Sequence, residues 1–286
     1  MDRQVSKQKT IKAPASALSR LLGRMRQRGF SLVEIALVLV IVGLALGGVI
    51  SALGPQMQQR RYVASQDELK RVTDALFGFA VLNGRLPCPA VVAADNGLEN
   101  QISAVTGQCA NNGQGYLPGA TLGLPDLGPP GSPTSGLLID AWGFPVRYAV
   151  SQNLYLTDYV FTKTDGVKTA KAAGAAGVTA INTTLLRVCS AFTASLTTCV
   201  AGQQLAAPAF VVFSTGSAGT AAGGTDETKN INKVIGLPPP PAVSTPLDVV
   251  HIYRQKSELA ANPFDDLFYW QSASSLVSRI CSTPSC

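Results

Sequence analysis

A run of 24 residues, Phe30 to Leu53, carries a single charge, that of Glu34. No other feature restricts the chain so strongly. As a helix the run would extend about 36 Å, more than the roughly 30 Å hydrocarbon core of a bilayer. A secretory signal peptide has an apolar region of about 7–15 residues followed by a small-residue cleavage site. This run is longer and has no clear site. A plain signal-anchor helix fits the length but explains neither the Gly29-Phe30 junction nor Glu34. A carboxylate at membrane depth costs roughly 2.5–3.5 kcal/mol even on a lenient insertion scale, so this one must be relieved or used.

Charge is unevenly placed around the run. The net charge of the chain is +6. Met1 to Gly29 hold eight Lys or Arg and one Asp, while Phe30 to Cys286 hold fifteen against sixteen Asp or Glu. The basic balance therefore belongs to the N-terminal tail, and no nucleic-acid partner is indicated by it. Positive residues beside a span stay in the cytoplasm, which predicts that the rest of the chain lies outside.

All six cysteines, Cys88, Cys109, Cys189, Cys199, Cys281 and Cys286, follow the run. An even number outside the cytoplasm favours disulfides, and the local spacings favour the sequential pairs Cys88–Cys109, Cys189–Cys199 and Cys281–Cys286. Zinc is disfavoured, because there is no C-x-x-C and His251 is the only histidine.

Beyond Pro55, which should bend the helix, the polar stretch to Asn83 keeps a helical period. Tyr62, Gln66, Leu69, Val72, Leu76 and Phe79 form its stripe, and Asp67–Arg71 and Lys70–Asp74 are spaced for i,i+4 pairing. Asn83-Gly84 predicts the stop. Leu117 to Gly136 hold five Pro and five Gly and read as a surface loop. They fit an insertion better than a site of proline-motif recognition. Strand-like segments follow at 140–150, 153–163, 183–192, 207–215, 247–255 and 265–272. The Gly-, Ala- and Ser-rich spans 171–180 and 214–224 read as loops. A long helix followed by several strands and long insertions is an α+β pattern.

The basic leader, Gly29, Phe30-Ser31-Leu32-Val33-Glu34 and the apolar helix together resemble the N-terminus of a type IV prepilin or a type II secretion pseudopilin. The resemblance covers about thirty residues directly. It implies cleavage after Gly29 by a prepilin peptidase, which also N-methylates Phe30. It implies a pilin-like α+β fold, a long N-terminal helix packed on an antiparallel sheet head with long loops. It gives Glu34 a role in assembly: the Phe30 ammonium of one subunit can pair with the Glu34 carboxylate of a neighbour, offsetting the burial of both charges. The competing reading places Glu34 near the headgroups as a helix-start carboxylate favoured by the helix dipole.

Three further elements extend the resemblance toward the major pseudopilin group: Asp140-x-Trp142-Gly143-x-Pro145-x-x-Tyr148, Val212-Phe213-Ser214-x-Gly216 and Asp265-Asp266-Leu267. In some of those proteins the following loop holds calcium through aspartates and carbonyls. Here that loop has no acid before Asp226, and a calcium loop needs several oxygen donors close together. Asp226, Asp265 and Asp266 are the calcium candidates. For Asp265 and Asp266 a structural role, ending the last strand, is the stronger reading, and no cofactor is otherwise expected. No nucleophile elbow or phosphate loop is present, so the chain does not read as an enzyme.

The expected organisation is a cytoplasmic leader over 1–29, a transmembrane and filament-core helix over 30–54, its amphipathic continuation over 55–84, and a disulfide-bonded periplasmic or extracellular head over 85–286. Expected partners are the prepilin peptidase, other pilin subunits and the inner membrane, crossed once with the N-terminus cytoplasmic. Removing the leader leaves 257 residues, large for a main subunit and better suited to a minor one. The alternative is a membrane-anchored extracellular binding protein or adhesin that never polymerises.

Overall fold

A computed structural model describes residues 31–90, 96–125, 127–130, 132, 134–219, 224–231, 248–257 and 263–281, with the backbone alone at 45–53 and 111. The chain divides into two compact units, Met1–Pro55 and Gln56–Cys286.

In the first unit helix α1 (Leu32–Asn83) begins. The Ser31 carbonyl accepts from the amides of Glu34 at 2.9 Å and Ile35 at 3.1 Å. Among the described residues no helix is long and apolar enough to cross a membrane. The span expected over 30–54 is therefore not met there. The side chains described for the apolar run stop at Leu44, about 20 Å of helix against a core of roughly 30 Å. Pro55 lies inside α1 and does not end it.

In the second unit α1 buries Ser65, Leu69, Val72, Thr73, Leu76, Phe77 and Ala80. Leu69, Val72 and Leu76 belong to the expected stripe, whereas Phe79 sits at its half-buried edge and Phe77 carries the packing instead. Thr73 is tolerated on this face because its hydroxyl donates to the Leu69 carbonyl at 2.9 Å. Lys70 pairs with Asp67 at 3.2 Å and Arg71 with Glu68. These are i,i+3 pairs, the other spacing that brings helix neighbours together, rather than the expected i,i+4 pairs. The helix stops at Asn83, and Gly84 turns the chain at φ +65°.

The head contains β1 (Gln101–Ser103), β2 (Gln108–Cys109), β3 (Gln114–Tyr116), β4 (Arg147–Val150), β5 (Leu154–Tyr155), β6 (Asp158–Tyr159), α2 (Gly166–Ala172), α3 (Ala175–Asn182), β7 (Arg187–Cys189), β8 (Gln204–Ala206), β9 (Pro208–Ser214), α4 (Thr225–Ile231), β10 (Val250–Ile252), β11 (Leu267–Ser272) and α5 (Ala273–Ile280). The main sheet has the order β11-β9-β4-β3, antiparallel throughout. Every residue of β9 is buried, which marks a strand covered on both faces. Successive side chains point to opposite faces. Phe210 and Val212 join the core that contains Leu76 and Phe77 of α1, with the Phe77 and Phe210 rings 6.0 Å apart edge to face. Val211 and Phe213 join Leu186, Val188 and Phe268 on the far side.

A second sheet, β10-β7-β8, covers that far side. Its β10–β7 pair is parallel, His251 opposite Val188, so the expected all-antiparallel head is corrected at this pair. A parallel partner requires a long crossover, here supplied by the chain through β8, β9 and α4.

Other expectations change in detail. The span 171–180 is no loop: α2 and α3 form a helical hairpin there, as alanine's low side-chain entropy cost favours. Gly177 lets α3 approach so closely that a Cβ would overlap the Ala170 carbonyl. Only 147–150 of the segment 140–150 is strand. Residues 153–163 reduce to the two-residue strands of the β5–β6 hairpin. The Pro- and Gly-rich segment is irregular but not wholly superficial, since Leu117 and Leu124 are core residues. Cys88 is bonded to Cys109 and Cys189 to Cys199. Cys281 is also disulfide-bonded, and Cys286 lies outside the described residues.

Candidate functional site

Glu34 is the acidic residue of the first turn of α1 and is exposed. The helix N-terminus favours a carboxylate at that position. Its neighbours are apolar on every side: Leu32 is 85 % exposed, and Val33, Ile35, Leu37 and Val38 are each more than half exposed. A helix apolar all round requires surrounding protein or lipid. Gly29 and Phe30 lie outside the described residues.

The head fastens the end of α1 with a charged clamp. Arg85 donates to Glu99 through both guanidinium nitrogens, at 2.7 and 2.6 Å, and Glu99 accepts from the Cys88 amide at 3.0 Å. The bidentate geometry and partial burial make this stronger than a surface pair. Two motif segments identified in the sequence meet elsewhere in the fold, against the middle of α1. Asp140 accepts from the amides of Trp142 at 3.0 Å and Phe144 at 2.8 Å, closing a turn, and from the Ser214 hydroxyl at 2.6 Å. Ser214 in turn accepts from the Gly216 amide at 3.1 Å. The Ala141 amide donates to Ser65 of α1 at 3.2 Å. Burial raises the Asp140 pKa, opposed by these hydrogen bonds.

The acidic candidates separate. Asp226 pairs with Arg254 at 2.7 Å. Asp265 and Asp266 come together not with Asp226 but with its neighbour Glu227, each offering an oxygen within 4.8 Å of the other two. Sequence reasoning missed Glu227; the signal available was its adjacency to Asp226. The Asp265 amide donates to Glu227 Oε1 at 2.8 Å. Asn230 donates to Asp266 Oδ2 at 2.7 Å and also bonds the Ile252 backbone, tying α4 to β10 and β11. Burial, then the charges of Glu227 and Asp265, push the Asp266 pKa well up against the Asn230 hydrogen bond and the Arg147 charge. Glu227 and Asp265 also line a cavity of about 390 Å³, with Tyr62, Trp142, Ser217 and Lys256. His251 is buried in β10, edge to face with Phe213 at 5.6 Å and Phe268 at 6.4 Å.

No curated protein and no solved structure matches the chain. One family does match, over residues 24–50, and it includes the Gly29-Phe30 junction, Glu34 and most of the apolar run. Those residues carry the prokaryotic N-terminal methylation motif, the prepilin-type cleavage and methylation segment that supports a type IV pilin-like or pseudopilin class for this chain.

Proposed function

We propose that this chain is a structural subunit, a minor pilin or pseudopilin of a type IV pilus or type II secretion filament, and not an enzyme. The observation that carries the reading is the methylation motif over 24–50, with Glu34 at its fixed offset from the Gly29-Phe30 junction. In this reading the leader is removed on the cytoplasmic face by a prepilin peptidase, which methylates Phe30. The helix is held first in the inner membrane, with the head periplasmic, and then among the helices of other pilin subunits. The apolar side chains exposed on every side from Leu32 to Leu44 support it, since either environment would cover them. An anchored binding protein that never polymerises would need neither the junction nor Glu34.

Mass spectrometry of membrane-extracted protein tests the processing step. The expected species begins at N-methylated Phe30. An intact leader in cells with active prepilin peptidase, or cleavage beyond Leu46, would overturn the reading.

A further inference from the structure

We propose that the open edge of β11 takes an extended segment of a partner protein as an added antiparallel strand, one that alternates apolar and acidic residues. The register of the main sheet identifies that edge. The Ser151 amide donates to the Ala209 carbonyl at 2.8 Å, one step beyond the Val150–Phe210 pair. Bonding direction alternates along a strand. Ala209, Val211 and Phe213 therefore turn their backbone groups toward β4, and Phe210, Val212 and Ser214 turn theirs toward β11. Opposite these last three stand Gln271, Tyr269 and Leu267. Phe268 and Trp270 are left directing their N–H and C=O groups away from the sheet, and among the described residues nothing bonds them.

The other edges are closed or short. On β3, Tyr116 exchanges both backbone bonds with Ala90, at 3.0 and 2.8 Å. On β10, the Asn230 side chain accepts from the Ile252 amide and donates to its carbonyl, each at 2.8 Å. β8 is three residues long. β11 has six residues, Leu-Phe-Tyr-Trp-Gln-Ser, and carries neither proline nor charge, the usual devices that block an edge. Such an edge is a template for strand addition.

The surroundings select the segment. A groove of about 230 Å³ lies beside Leu267, Phe268 and Tyr269, with Tyr253, Lys256 and, from α1, Tyr62 in its walls. In antiparallel addition the residues opposite Phe268 and Trp270 share their face. They meet Tyr253, whose ring is 6.1 Å from that of Phe268 and 5.1 Å from that of Trp270, which calls for apolar side chains. The residues between them lie on the face of Tyr269. There the exposed Lys256 holds its ammonium 6.0 Å from the centre of the Tyr62 ring, which calls for acidic ones. The other charges of the groove are engaged within the chain, Asp266 with Asn230 and Arg254 with Asp226. A second copy is a poor occupant. A symmetric β11–β11 pair has its axis normal to the sheet, so the parts of α1 packed on the two sheets would run in opposite directions. Subunits held in one membrane by that helix run the same way, a step that rests on the proposed pilin class.

The test uses the full chain in detergent and a capped synthetic peptide of alternating valine and glutamate. Calorimetry should show saturable binding of one peptide per chain. Hydrogen exchange at the Phe268 and Trp270 amides, fast in the free chain, should slow at least about tenfold, while the ladder amides of Leu267, Tyr269 and Gln271 stay unchanged. Methylating the valine amides, which would bond to β11, should abolish binding, and methylating the glutamate amides should leave it intact. Lys256→Glu should reverse the preference in favour of a valine–lysine peptide. Trp270→Pro removes one outward N–H at an edge position that tolerates proline, and should weaken binding at least about fivefold. Phe268 and Trp270 amides already slow in the free chain overturn the proposal. So do a peptide that fails to bind or leaves those amides fast, loss of binding on methylating the glutamates instead, and a symmetric dimer that protects both amides. None of these readouts depends on leader cleavage or filament assembly, so their failure is distinct from failure of the pilin reading.

Discussion

At the scale of single residues, Asp140 shows how burial and hydrogen bonding compete over one carboxyl group. Its three donors are the Trp142 and Phe144 amides and the Ser214 hydroxyl. They favour the charged form, but burial is the larger influence and the pKa is raised from 3.8. The folded chain therefore binds this proton more tightly than the unfolded chain. The associated stability is fully present below about pH 3.8 and is lost as pH rises through the folded-state value. Asp140→Asn has no such titration. Its stability relative to wild type should improve as pH rises from about 4 and then level off, read from urea midpoints across a pH series. A relative stability that worsens over that range would mean that the hydrogen bonds outweigh burial. The sequence showed Asp140 only as part of a motif. Its partner Ser214 lies 74 positions away, and nothing local announces the pairing. Glu227 was hidden for the same reason, because its companions Asp265 and Asp266 arrive from the distant segment that leads into β11.

At the scale of elements, periodicity was legible where one face alone is buried. Leu69, Val72 and Leu76 reveal the inner face of α1, and the run Pro208–Ser214 reads as a strand because every position is apolar or small and β-branched residues are frequent. Legibility failed where composition pointed one way and packing another. The alanines and glycines of 171–180 suggested a loop, yet two short helices cross there through small residues. Two glycine substitutions separate these cases. Gly177→Ala should destabilise the head by about 1–3 kcal/mol, since its Cβ would overlap the rigid Ala170 carbonyl. Gly78→Ala should stabilise it by about 0.5–1 kcal/mol, because Gly78 is exposed within α1 and nothing lies within 4 Å of the added methyl. Denaturant unfolding of both full-length variants measures the contrast. Equal effects would remove the close α2–α3 crossing from the account. The parallel β10–β7 pair was equally unreadable, since pairing direction depends on a crossover that runs from Cys189 to Val250.

At the scale of the whole molecule, the two units depend on different kinds of cover. Gln56–Cys286 closes its own core around β9, with the Cys88–Cys109 and Cys189–Cys199 bonds fastening local loops. The described part of Met1–Pro55 has its apolar side chains exposed, and a helix of that kind needs protein or lipid around it. That difference was visible in the sequence, as an apolar run with no polar face set before a helix with a narrow stripe. Glu34 is where the first unit can be tested. In the proposed filament its carboxylate meets the Phe30 ammonium of a neighbour in a low-dielectric bundle, where an uncompensated charge costs about 3–5 kcal/mol. In the membrane alone Glu34 is only a cost, so Glu34→Ala makes the helix easier to insert. The substitution should therefore leave leader cleavage and membrane-fraction yield at wild-type levels. It should also reduce recovery of the chain in sheared filaments roughly tenfold or more, quantified by immunoblot of both fractions. Wild-type recovery in filaments would show that the carboxylate has no pairing role. A parallel fall in membrane yield would instead place its contribution before assembly, at processing or insertion.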